Sequence, residues 1–86
     1  MEVTVYGQLR AVTGQKQVDV DADGRTVRDV LDAFVAAYPR AEPHLFRDDE
    51  TPHPSVRVAV DGTIVELGDA CPADASLSIH PAMQGG

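Results

Sequence analysis

One long helical pattern dominates the 86 residues, and the rest of the periodic sequence alternates. Val27, Val30, Leu31, Phe34, Val35 and Tyr38 recur at three- and four-residue spacing, leaving Arg28, Asp29, Asp32 and Ala36 on the opposite side of an amphipathic helix. Thr26 stands three residues before Asp29, a spacing that lets each side chain bond a free backbone N–H of the first turn. Pro39 lacks an N–H and disfavours helical geometry in the residue before it, so the helix is predicted to stop near Tyr38. A chain this short forms one domain, and it has a single long helix with which to cover whatever sheet it builds.

The alternating runs supply that sheet. Val3 and Val5 alternate with Glu2, Thr4 and Tyr6, and Val18 and Val20 alternate with Gln17, Asp19 and Asp21. With a turn near Thr13 and Gly14, these runs are predicted to form an N-terminal β-hairpin. From Arg40 to Ser55 the sequence is charged and marked by prolines. It reads as a surface loop with a short helical turn around Pro43 to Phe46, whose Leu45 and Phe46 are expected to tuck under the sheet. Val56, Val58 and Val60 then alternate towards Asp61-Gly62, a strong two-residue hairpin signal, and Thr63-Ile64-Val65 forms the return strand. Leu77 and Ile79 face one way while Ser76, Ser78 and His80 face the other, which gives a last strand. The economical arrangement is an α+β fold of the β-grasp type, a mixed sheet packed on one main helix with the last strand beside the first. Residues 1–86 are expected to make one such domain, with 82–86 a flexible diglycine tail.

Several function classes are excluded by composition. A net charge of −7 and the lack of any Lys/Arg cluster argue against nucleic-acid binding and favour a basic protein partner. Ten Asp against four Glu, and Lys16 as the only lysine beside six arginines, suit a high-salt cytoplasm, although a GC-rich genome would deplete lysine too. No run is long enough to cross a bilayer and no signal region precedes the first strand, so a cytoplasmic monomer without membrane contact is expected. The single cysteine, Cys71, leaves no disulfide framework and reads as a small buried residue before Pro72. His44 and His53, with Asp48, Asp49 and Glu50 between them, lack metal-ligand spacing and read as a polar loop, so no metal is expected. Neither a catalytic set of residues nor a phosphate-cradling glycine loop is visible, and the chain reads as a protein substrate rather than an enzyme.

Four stretches resemble a known family. Tyr6-Gly7-Gln8-Leu9-Arg10-Ala11-Val12-Thr13-Gly14 is similar to the aromatic-x-x-Leu-Arg-x-x-x-Gly stretch of molybdopterin-type carriers. Thr26 to Leu31, ending at Tyr38-Pro39, resembles the helix of these proteins, and Val56 to Gly62 their valine-rich strand and turn. Leu77-Ser78-Ile79-His80-Pro81-Ala82-Met83-Gln84-Gly85-Gly86 resembles their apolar strand, proline and diglycine terminus. The family is that of the ubiquitin-like sulfur carriers, which serve molybdopterin, thiamine and cysteine biosynthesis, together with the small archaeal modifier proteins. Here His80 stands where molybdopterin-type tails carry an aromatic and Ala82 where they carry a second proline. The Pro-Ala tail is closer to the cysteine-biosynthesis type.

A terminal carboxylate with a pKa of roughly 3.5 is ionised at neutral pH and is a poor electrophile until it is activated. The resemblance implies that an E1-like activating enzyme uses ATP to form an acyl-adenylate on Gly86, the chain itself binding no cofactor. The adenylate would then pass to sulfur, giving a thiocarboxylate for a sulfur-accepting synthase subunit, or to a target-protein lysine, giving an isopeptide bond. Gln84 and Gly85 would thread the enzyme's channel, where glycine's lack of a Cβ allows close approach. Pro81 would stiffen the exit from the last strand, while Met83 and His80 would contact partners. Arg10 matches an arginine that helps bind the activating enzyme in these carriers. Lys16, as the sole lysine, is the one acceptor for chains linked through lysine.

Overall fold

A computed structural model of the chain describes residues 1–22, 26–47, 51–53 and 56–80. Its elements are β1 (Glu2–Val5), α1 (Gln8–Thr13), β2 (Gln17–Asp19), α2 (Val27–Ala37), α3 (Glu42–Leu45), β3 (Arg57–Val60), β4 (Thr63–Val65) and β5 (Leu77–His80). A 3-10 turn at Pro39–Ala41 joins α2 to α3. The sheet runs β2-β1-β5-β3-β4. β1 pairs antiparallel with β2 and parallel with β5, and β3 pairs antiparallel with both β5 and β4. The last strand thus lies beside the first in a β-grasp sheet, as the economy of one helix predicts.

The start of α2 accounts for all its free N–H groups. The Asp29 N–H donates to Thr26 Oγ1 at 3.2 Å, and the Thr26 N–H donates to Asp29 Oδ2 at 3.2 Å, which closes the capping box. The loop after β4 satisfies the remaining two, with the Val27 N–H donating to the Asp69 carbonyl and the Arg28 N–H to the Leu67 carbonyl, both at 2.9 Å. Thr26→Ala is therefore expected to cost about 1 kcal/mol and to lower Tm by about 4–8 °C, as read by thermal unfolding.

Val27, Val30, Leu31 and Phe34 of α2 are buried against Val3, Val5, Val58, Leu77 and Ile79 in one continuous core. Each fully buried side chain of this kind contributes about 1.5–3 kcal/mol. Leu45 and Phe46 join the core as expected, and the Arg28 guanidinium lies 4.6 Å over the Phe46 ring, tying α2 to the end of α3. Asp61 and Gly62 form the β3–β4 turn with φ of 49° and 86°, the double positive φ that the Asp-Gly pair predicts.

One sequence expectation needs correction. The first two strands pair antiparallel, but no tight turn near Thr13 and Gly14 joins them directly, because α1 occupies most of the connection. Leu9 explains this. It is completely buried beneath the sheet end, so helical geometry is selected by burial of one side chain rather than by any long periodicity. Among the described residues of the proline-marked stretch, Ala41 is also buried and Phe46 bridges Pro52.

Cys71 is fully buried, with its Sγ 3.7 Å from Met1 Sδ. Burial, and secondarily the Asp61 carboxylate, pushes the thiol pKa up. In the unfolded chain a thiol ionises near pH 8.5, so above that pH the native state holds the extra proton and stability falls as pH rises towards the folded pKa. Urea titrations between pH 7 and 10 are expected to show this loss in the wild type and not in Cys71→Ala, and a thiol reagent should label native protein more slowly than denatured protein.

Candidate functional site

The parallel β1–β5 pair brings the C-terminal ends of both strands to one end of the sheet. Val5 and Ile79 form the last registered pair, and Tyr6 and His80 follow one residue later. Because Val5 and Ile79 point into the core, alternation turns Tyr6 and His80 to the outer face. There the two rings stack, with centroids 4.3 Å apart and planes 7° from parallel. On its other side His80 is in register with Arg57 of β3.

The two strands part at this point. Gly7, with φ 58° and ψ −131°, turns the chain from β1 into α1, a backbone shape that a side chain would oppose. Arg10 is exposed on α1, and its backbone N–H donates to the Gly7 carbonyl at 3.1 Å. Lys16 is exposed at the same end of the sheet, where its carbonyl accepts from the Val5 N–H at 2.8 Å. Of the residues expected at the site, the structure brings His80, Lys16 and Arg10 to the end from which the chain continues towards its diglycine. Pro81, Met83, Gln84, Gly85 and Gly86 lie outside the described residues, as does the tail 82–86.

Lys16 and Arg57 stand at the end where β5 finishes, with Glu66 beside Arg57 just past β4, whereas Glu2, Asp19 and Asp61 stand at the opposite end. Asp61 there ties the β3–β4 turn to the start of β5, its Oδ1 accepting from the Ser76 N–H and its own N–H donating to the Ser76 carbonyl, both at 2.9 Å.

Tyr6 is the residue that sequence reasoning did not place at the site. Its outward alternation with Val5 was readable, but its contact with a ring 74 positions away depends on the parallel register. His53 Nε2 lies 3.2 Å from the Pro43 carbonyl, next to His44 in sequence, and Asp48 to Glu50 fall outside the described residues. Among the described residues no helix is long and apolar enough to cross a membrane.

Comparison with known proteins gives this geometry a context. The ThiS family model matches residues 3–86. Small archaeal modifier protein 1 of Haloferax volcanii is 38% identical over 87 aligned residues, covering 100% of both chains. A crystal structure of SAMP1 from that organism superposes with a TM-score of 0.89, covering 100% of this chain and 98% of the other. A chain in the Amycolatopsis orientalis BexX/CysO complex superposes with a TM-score of 0.79 at 28% identity, covering 99% of this chain and 98% of the other. With the β-grasp sheet and a family match over residues 3–86, the chain belongs to the ThiS family and is a ubiquitin-like homologue of a small archaeal modifier.

Proposed function

We propose that this protein is a small modifier and sulfur carrier whose Gly86 carboxyl is adenylated by an E1-like enzyme. The observation that carries the reading is the 38% identity with a small archaeal modifier across the full length of both chains, with the family match running to Gly86. One carboxylate oxygen of Gly86 attacks the α-phosphorus of ATP and pyrophosphate leaves. A lysine amine then displaces AMP, loses its proton and leaves an isopeptide bond, or sulfide displaces AMP and leaves a thiocarboxylate. The chain supplies no catalytic group to either step. Its part is to present Gln84, Gly85 and Gly86 beyond the sheet, with Met83, Pro81, His80 and Arg10 meeting the partner, and to offer exposed Lys16 as the acceptor for chains.

Similarity to the CysO chain favours a second reading, a dedicated sulfur carrier that forms no conjugates. Intact mass spectrometry of protein recovered from its own cells separates the two, combined with a search for branched peptides in the same lysate. Trypsin's last site is Arg57, so a Gln84→Arg variant is used to leave a short diglycine remnant on modified lysines. The expected result is remnants on several proteins together with a free form carrying sulfur in place of one terminal oxygen. A thiocarboxylate without remnants would favour the dedicated carrier, and finding neither would overturn both.

A further inference from the structure

The sheet ends in two edge strands, β2 and β4, and their pairing shows that they are not equivalent. The Met1 amino group donates to the Val20 carbonyl and the Val20 N–H to the Met1 carbonyl, both at 2.9 Å, and the Val5 N–H donates to the Lys16 carbonyl at 2.8 Å. Antiparallel ladders alternate bonded and non-bonded pairs, so Val3–Val18 is bonded too, while Glu2–Asp19 and Thr4–Gln17 are the non-bonded pairs. Gln17 and Asp19 therefore turn their N–H and C=O groups away from β1, towards the open edge. No described residue bonds to these four groups. On β4 the two-residue turn makes Val60–Thr63 a bonded pair, which leaves Ile64 and Glu66 facing outward. Glu66 is already satisfied, its N–H donating to Asp69 Oδ2 at 2.8 Å and its carbonyl accepting from the Asp69 N–H at 3.1 Å. Among the described residues, only β2 thus offers a repeat, two donors and two acceptors spaced about 6.8 Å along the strand.

That repeat is complementary to an extended backbone, and the charges along β2 describe its owner. Asp19 and Asp21 are exposed, with Glu2 opposite Asp19, whereas Lys16 stands at the other end of the strand. Asp19 Oδ1 accepts from the Met1 amino group at 3.0 Å, yet its side chain is 92% exposed and open to a second cation. A second copy of the chain is a poor occupant, since it would bring together two domains of charge −7 over a strand of three residues. We propose that the β2 edge is a strand-addition site for an extended segment of a partner protein, basic where it meets Asp19 and Asp21 and acidic where it meets Lys16. Backbone bonds supply the affinity, and the end charges set the direction. The site is independent of any chemistry at Gly86.

The probe is a capped peptide of alternating valine and threonine with two lysines at its N-terminal end and two glutamates at its C-terminal end, the order that suits antiparallel addition. Titrated into isotope-labelled protein, it is expected to shift the Gln17 and Asp19 amides most and to slow their exchange with solvent about tenfold. A peptide with its charges swapped should bind about three- to tenfold more weakly, and Asp19→Lys should reverse that preference. Gln17→Pro removes an outward donor without touching the β1 ladder, so it should keep the wild-type Tm and weaken binding about tenfold. Should that variant not fold, a peptide N-methylated along its central residues makes the equivalent deletion from the ligand's side. Shifts centred on Ile64, equal binding of the N-methylated peptide, or no binding at about 5 mM peptide would overturn the proposal. Shifts at Gln17 and Asp19 that grow with protein concentration alone would give the edge to a second copy and overturn it too.

Discussion

Gly86→Val is expected to lose about a hundredfold or more in ATP-dependent adenylation while unfolding at the wild-type temperature. On the adenylation reading proposed above, the carboxylate that would attack the α-phosphorus belongs to residue 86 itself, so a side chain there would adjoin the reacting group. An in-line attack tolerates little displacement, and a misplacement of about 1 Å can cost about a hundredfold. On that reading a branched Cβ would both crowd a channel that admits glycine and restrict the backbone that must enter it. Gly86→Ala, which adds a single carbon, should lose less. Glycine has no side chain to lose, so neither change removes a side-chain contact. Pyrophosphate exchange measures the first part and calorimetry the second. A wild-type exchange rate in Gly86→Val would overturn the adenylation reading.

Phe34→Ala is expected to act in the opposite way, by weakening the fold and leaving the chemistry of the tail untouched. Phe34 is fully buried at the centre of α2, and its ring lies 5.4 Å from that of Tyr38. Truncating a buried phenylalanine costs about 3–5 kcal/mol, because transfer free energy is lost and a cavity remains. A domain of this size has about 4–13 kcal/mol in total. The variant should therefore melt about 12–40 °C below the wild type, with the larger shift belonging to the lower end of that stability range. Urea unfolding at low temperature checks the loss where the variant is still folded. A fall of less than about 1 kcal/mol would mean that the core closes around the missing ring, which the packing around Phe34 does not suggest.

How much of this was legible from sequence varied by element, for physical reasons. α2 was readable because eleven residues of helical period are flanked by a capping box and a proline, three independent signals that agree. The β3–β4 turn was readable because few residue pairs accept two successive positive φ values. α1 was not, since its six residues give only Leu9 and Val12 as apolar spacing, and the same letters suit a turn between strands. What decides α1 is the burial of Leu9, a tertiary fact. The site divides along the same line. The diglycine and His80 could be named from residue type and resemblance, whereas Tyr6 enters only through the register of two strands from opposite ends of the chain.

The central place of β5 has a mechanical meaning. β5 lies between β1 and β3, and the chain continues from its C-terminal end. A pull applied lengthwise at the C-terminal end of β5 loads the strand along its own axis, while the hydrogen bonds that hold it run across to both neighbours. Those bonds are strained together, in shear, instead of being opened one at a time as they would be at an edge strand such as β4. In a conjugate, a machine that drags the target through a narrow pore would thus meet its greatest resistance at the branch, where this small domain is gripped by the strand least able to peel away.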